Sequence, residues 1–174
     1  MKEIMFAGIG GQGVILSASI LARAGILKGY YAAQSQSYGS ESRGTATRAE
    51  VVLSEEFVDF PHVEHADIFV VMAEMGVKLF ASKVSQEAIV LYDNSVFELS
   101  ENIGKERIGI PATRLAVDTF KKPLYANIIM LGAMMRHCGM VGPEEIKTVL
   151  KETVPSKALA DNIKALELGS GLEY

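Results

Sequence analysis

Gly8, Gly10 and Gly13 stand at the spacing G-x-G-x-x-G in Gly8-Ile9-Gly10-Gly11-Gln12-Gly13, between an apolar strand-like run and an apolar helix-like one. Glycines there permit positive φ and a close backbone approach, and free amides at a helix start attract anionic groups. The chemistry implied is the holding of a phosphate. Enzymes that use such a loop for a dinucleotide add an acidic residue near the end of the second strand to hold the ribose. Here that stretch reads Ala32-Ala33-Gln34-Ser35-Gln36, without a carboxylate. Three readings therefore stand: another anionic ligand, an inter-subunit contact, or a tight turn that only packs a helix on a sheet.

Other residues that could act are few. Arg43 lies in a polar, glycine-bearing stretch, Ser37-Tyr38-Gly39-Ser40-Glu41-Ser42-Arg43-Gly44-Thr45, read as an exposed loop. Its guanidinium suits a phosphate or carboxylate, or pairs with Glu41 or Glu50 in a surface network. Arg48 follows on an alternating segment, either as a second anion contact or as a solvated or interface charge. Tyr38 either stacks on a base or covers an apolar edge. His62 and His65 flank Val63-Glu64 without a recognisable third ligand. Glu74 and Asp93 follow strand ends, where α/β proteins place functional groups, and Asp93-Asn94-Ser95 reads equally as a turn. Cys138 is the only cysteine, whereas an iron–sulfur cluster usually needs four thiolates and a disulfide two. It reads as a small core residue.

The elements that must position these groups are legible in outline. Lys2 to Ala7 reads as a short buried strand. Val14 to about Leu27 reads as a helix, with Leu16, Ile20, Ala24 and Leu27 at helical spacing and Gly29 where a glycine stops it. Tyr30 to Gln36 is a second strand. Thr47 to Leu53 alternates, with Ala49, Val51 and Leu53 on one face and Arg48, Glu50 and Val52 on the other, which predicts a half-exposed strand. Ile68 to Met72 and Ala88 to Tyr92 are continuous apolar runs of the kind found in central strands, with a crossover helix between them over Met75 to Val84. A short strand follows around Arg107 to Ile110. Leu124 to His137, Pro143 to Glu152 and a segment capped by Ser156 are helical, the last presenting Leu159, Ile163 and Leu166 on one face. Met130, Met134, Met135 and Met140 read as filling a core or a subunit contact. Strands alternating with helices predict one α/β domain over 1–174, a Rossmann-like three-layer sandwich with a mostly parallel sheet. An antiparallel pairing of the Thr47 to Leu53 strand would make that sheet mixed.

Composition narrows the function class. The 174 residues carry 21 acidic and 17 basic side chains, a net charge of −4, with no cluster of Lys/Arg. A nucleic-acid partner is disfavoured, because phosphate neutralisation needs a basic face. No apolar run approaches the ~20 residues needed to cross a bilayer, and the N-terminus lacks the pattern of a signal peptide. A soluble, cytoplasmic protein without a membrane partner is expected.

Taken together, Gly8-Ile9-Gly10-Gly11-Gln12-Gly13-Val14 and Gln36-Ser37-Tyr38-Gly39-Ser40-Glu41-Ser42-Arg43-Gly44 resemble the γ family of 2-oxoacid:ferredoxin oxidoreductases. Asn127, opening a helix after Lys122-Pro123-Leu124-Tyr125, and Leu131-Gly132-Ala133 within it are also similar to that family. One departure is Thr45, where the family pattern would place a second glycine. The resemblance implies a complex that decarboxylates a 2-oxoacid on thiamine diphosphate, passes two electrons through iron–sulfur clusters to ferredoxin, and transfers the acyl group to coenzyme A. This chain has no Gly-Asp-Gly with paired asparagines for thiamine diphosphate and magnesium, and too few cysteines for a cluster. Those cofactors are then expected on partner alpha and beta subunits and, where present, a ferredoxin-like delta subunit. What remains for this chain is support of the complex and contact with coenzyme A, through Gly8, Gly10, Gly11, Gln12, Gly13, Tyr38, Arg43, Arg48 and Asn127, with no catalytic residue and no metal of its own. The loop is more similar to the 2-oxoglutarate type than to the pyruvate type, with branched-chain and indolepyruvate types open. A second class of function also stands: a nucleotide-binding regulatory module without redox activity.

Overall fold

In the computed structural model, which describes residues 1–38 and 45–173, six strands form one mixed sheet. The strands are β1 (Lys2–Ile9), β2 (Tyr31–Tyr38), β3 (Ala46–Ser54), β4 (Ala66–Val71), β5 (Val84–Asp93) and β6 (Glu106–Ile110). The helices are α1 (Val14–Leu27), α2 (Glu74–Phe80), α3 (Ala112–Phe120), α4 (Ala126–Cys138), α5 (Pro143–Thr153) and α6 (Ser156–Ser170). Spatial strand order is β2-β3-β1-β4-β5-β6. β1, β4, β5 and β6 pair in parallel, while β3 runs antiparallel to both β1 and β2.

The sheet is covered unequally. On one face α1, α4, α5 and α6 enclose the larger core, built on Ile4, Phe6, Val51, Leu53, Ile129, Met130 and Met134. The methionines named from sequence thus fill core space, with Met130 and Met134 fully buried. α4 and α6 pack backbone to backbone. A Cβ on Gly169 would lie 1.9 Å from the Ile129 carbonyl, and one on Gly132 would lie 2.3 Å from the Leu166 carbonyl. The other face carries a smaller core of Met5, Ala7, Val52, Phe69, Val71, Val77 and Val90. Only α2 and irregular segments cover it.

That second cover corrects the reading of β3. Glu50 and Val52 were expected on a half-exposed face, yet they are 0% and 2% exposed. Alternation reports a difference in polarity between faces, and here the polar side is buried with its own partners. β2 runs two residues beyond the predicted Gln36, to Tyr38, because Ser37 and Tyr38 pair with Arg48 and Thr47. α3 escaped the sequence reading because its cap is remote. Asp93, at the end of β5, accepts from the Thr113 amide (2.9 Å) and hydroxyl (2.6 Å), so no local capping signature was needed. Ser156 is the first residue of α6 and makes no cap; Pro155 holds the N-cap position.

Candidate functional site

The glycine loop follows β1 at the carboxyl edge of the parallel strands. α1, after β1, packs on the large-core face, whereas α2, after β4, packs on the other. The ends of these adjacent strands form a topological switch point, the place where open α/β sheets bind ligands. Gly11 (φ 98°) and Gly13 (φ 74°) adopt left-handed backbone, which explains glycine at these two positions.

Gln12 turns inward and spans the switch point. Its Oε1 accepts the Ile9 amide at 2.8 Å, and its Nε2 donates to the Met72 carbonyl at 3.0 Å. Gly8 leaves room for that side chain, since a Cβ there would lie 2.5 Å from Gln12 Oε1. Asn127, 3% exposed in the first turn of α4, holds the loop from the other side: its Nδ2 donates to the Gly13 carbonyl at 3.1 Å, while Ser17 Oγ donates to the Asn127 carbonyl. Asn127 is thus a positioning residue for the loop. Thr45, which follows the second motif, is joined to the glycine loop: the Gly10 amide donates to its carbonyl at 3.0 Å. Arg43 and the 39–44 segment, together with the ring of Tyr38, lie outside the described residues.

Beside this loop a cleft of about 240 Å³ is lined by Gly11, Gln12, Met72, Val96, Thr113 and Leu124, among others. Lys121 and Lys122 are exposed next to its Pro123-Leu124 wall. Lys121 caps α3 in left-handed backbone at φ 58°, a conformation ordinarily left to glycine. Among the described residues of the lining, the Thr113 hydroxyl is the only nucleophilic group, and it donates to Asp93. Asp93 and Ser95 form the turn considered from sequence, with the Val96 amide on the Asp93 carbonyl. The cleft thus joins the Gly11-Gln12 backbone to apolar walls from Met72, Val96 and Leu124, and Lys121 Nζ donates back to the Asp118 carbonyl of α3 at 3.0 Å.

Arg48 is elsewhere. It lies on the α2 face, its Nε 3.1 Å from Glu50 Oε1 and its guanidinium 5.0 Å from the Phe80 ring centre. Its side chain is 20% exposed and is not part of the lining of the 240 Å³ cleft. Glu50, missed as a candidate, organises this second cluster. Its Oε2 accepts Ser35 Oγ (2.7 Å) and the Val63 amide (3.3 Å), with His62 Nδ1 at 3.5 Å. Its Oε1 faces Arg48 and, at 3.6 Å, Lys83 Nζ, without an aligned hydrogen bond. Burial alone would raise the Glu50 pKa; the Ser35 bond, the Arg48 charge, the Val63 amide and the Lys83 charge outweigh it and hold the carboxyl below the usual glutamate range. The signal was present in sequence as a lone carboxylate inside the apolar run Ala49 to Leu53. The pairing of Glu50 with Arg43 considered from sequence lies outside the described residues. Cys138 is 2% exposed, and burial pushes its thiol pKa up, as befits an inert core residue.

Fold and site define an α/β protein with a glycine loop and a cleft beside it at the switch point of a mixed sheet. The chain belongs to the pyruvate ferredoxin/flavodoxin oxidoreductase family, whose model matches residues 3–172. It is 36% identical over 171 residues to the 2-oxoglutarate synthase subunit KorC of Methanocaldococcus jannaschii, covering 97% of this chain and 91% of that one. It is also 36% identical over 178 residues to the KorC subunit of Methanothermobacter marburgensis, covering 98% and 96%. The keto/oxoacid ferredoxin oxidoreductase γ subunit of Geobacter sulfurreducens superposes with a TM-score of 0.85 at 29% identity, covering 97% of this chain and 96% of that one. No described helix is long and apolar enough to cross a membrane.

Proposed function

We propose that this chain is the γ-type subunit of a cytoplasmic 2-oxoglutarate:ferredoxin oxidoreductase, and that its glycine-loop cleft accommodates part of coenzyme A beside the active site of a partner. The observation that carries the reading is the cleft itself. Positive-φ glycines present backbone at a switch point, Gln12 and Asn127 hold that backbone rigid, and Lys121 and Lys122 stand next to an apolar wall. A ligand with phosphates at one end and a flexible, weakly polar arm at the other fits that chemistry. The single thiol, Cys138, is buried in the core and offers no ligand to an iron–sulfur cluster, and the clusters, thiamine diphosphate and magnesium are assigned to partner subunits. When bound on alpha, beta and delta partners, those groups supply the decarboxylation and electron transfer.

The chain's own residues bind and orient. Gly8 makes space for Gln12; Gly11 and Gln12 line the cleft; the Gly10 amide ties the loop to Thr45; Asn127 fixes the loop at Gly13. Arg43 and Tyr38 belong to a segment whose flanking residue Thr45 is bonded to Gly10, so they are assigned to the same ligand. Arg48 acts indirectly, through the Glu50 cluster. The 2-oxoglutarate type is favoured over pyruvate, branched-chain and indolepyruvate types by the Ser37-Tyr38-Gly39 and Glu41-Ser42-Arg43-Gly44 loop and by the two KorC relatives.

The test is co-expression with candidate partner subunits, followed by coenzyme A-dependent reduction of ferredoxin with each 2-oxoacid. The assembled complex should turn over 2-oxoglutarate, and the isolated chain should be colourless and inactive. Arg43→Ala in the complex should raise the KM for coenzyme A about ten- to a hundredfold, the scale of a lost charge-assisted bond. Stoichiometric nucleotide on the purified chain, with no thiamine-bearing partner, would favour the regulatory module instead.

A further inference from the structure

The segment between β3 and β4 does something the glycine cleft does not. Phe57 and Phe60 are 73% and 61% exposed, and Tyr31, at the start of edge strand β2, is 51% exposed. They lie at the opposite end of the sheet from the glycine loop, around a groove lined by Glu3, Val52, Phe57, Val58, Phe60 and His62. Exposed aromatics this close together are characteristic of interaction surfaces, where rings supply contact area at low entropic cost.

The segment is also held from beneath by three different elements. Glu3 of β1 accepts the amides of Glu64 and His65, Glu50 of β3 accepts the amide of Val63, and Lys83, in the 3-10 turn after α2, donates to the Val63 carbonyl. The rings are braced as well: Phe57 meets Tyr31 edge to face at 5.9 Å, and Phe60 meets His62 at 5.1 Å. Polar anchoring at four backbone groups, of which the Val63 amide is buried on Glu50, holds a segment whose aromatic side chains face water, which is preorganisation for a contact that the chain alone does not make.

Charge identifies the occupant. Between residues 55 and 65 the sequence holds Glu55, Glu56, Asp59 and Glu64, all exposed, and neither lysine nor arginine. A two-fold contact between copies would set these carboxylates against themselves. The basic side chains beside this chain's exposed Ile26 and Leu27 are already paired, Arg23 with Glu152 and Lys28 with Glu145. An anionic membrane or nucleic acid would be repelled. We propose that the Phe57–Phe60 surface is the seat of a partner subunit presenting an apolar socket rimmed by lysines and arginines. The proposal rests on the reading that the chain works in a hetero-oligomer.

The experiment uses the assembled complex. Phe57→Ser with Phe60→Ser should leave the chain's melting curve near that of the parent, since both rings are exposed, and should raise the dissociation constant for the partner at least tenfold. Glu56→Lys with Asp59→Lys should weaken assembly more at low salt than at high salt and flatten its salt dependence. This second variant decides the matter if the first folds poorly. Parent-like assembly by both variants would overturn the proposal while leaving the functional reading intact, as would self-association of the parent chain that the Phe57/Phe60 variant abolishes. A parent chain that assembles with no thiamine- or iron-bearing subunit would overturn both.

Discussion

Asn127 and Gly13 occupy mutually exclusive space: the Asn127 Nδ2 donates to the Gly13 carbonyl at 3.1 Å, and a Cβ on Gly13 would lie 2.4 Å from that same nitrogen. Gly13→Ala combines left-handed strain of about 1–2 kcal/mol with displacement of the amide. A loss of about 2–3 kcal/mol in urea unfolding is expected. Because the clash needs both side chains, Asn127→Ala in the Gly13→Ala background should cost less than it does in the parent. A double-mutant cycle that closes additively would refute the steric relationship.

Gln12 ties the ends of β1 and β4 together through one donated and one accepted bond. Gln12→Glu keeps the acceptor for Ile9 but sets a carboxylate against the Met72 carbonyl. Leaving that carbonyl without its donor should cost about 1–3 kcal/mol. Amide exchange at Ile9, measured by NMR, should speed up in Gln12→Met and remain closer to that of the parent in Gln12→Glu.

Glu50 makes stability depend on acid. Its folded pKa lies below the ordinary value of 4.5, so its contribution is fully present above about pH 4.5 and is lost as pH falls through the folded value. Glu50→Gln removes the charge that Arg48 and Lys83 face. Breaking an enclosed pair typically costs about 3–5 kcal/mol; with Arg48 and Lys83 still 20% and 36% exposed, about 2–4 kcal/mol is expected near neutrality. The variant should then lose less additional stability than the parent on acidification. Urea midpoints across an acid series measure both effects, and parallel pH profiles would contradict the assignment.

Gly169 permits α6 to lie against α4. A methyl placed 1.9 Å from the Ile129 carbonyl meets backbone rather than a flexible side-chain end, so the helices must separate. Gly169→Ala should cost about 3 kcal/mol, the upper end of overpacking, in spite of its better helix propensity. Gly171→Ala, where the nearest carbonyl is 3.2 Å away, is the comparison and should be far milder. Thermal unfolding of the two variants checks the order.

Much of this protein is determined by sequence alone. The apolar runs of β1, β4 and β5 and the helical spacing of α1 are local patterns, and local patterns suffice to specify an element and its type. The glycine loop is legible for the same reason, since positive φ at Gly11 and Gly13 is a property of the residue itself. The antiparallel setting of β3 was also within reach, because a short connection from β2 leaves little else possible. Tertiary structure alone decided where the polar groups go. Gln12 bridges to Met72, 60 residues away, Asn127 reaches Gly13 across 114, and Asp93 caps α3 from a strand 20 residues before it. Glu50 is the clearest case. Its place in an alternating strand predicts water on that face, yet Val63, Lys83 and Ser35 arrive from three other segments to enclose it. Hydrophobic periodicity records which face differs from the other. Only the packing of distant segments determines whether the polar face meets solvent or a set of partners that can replace it.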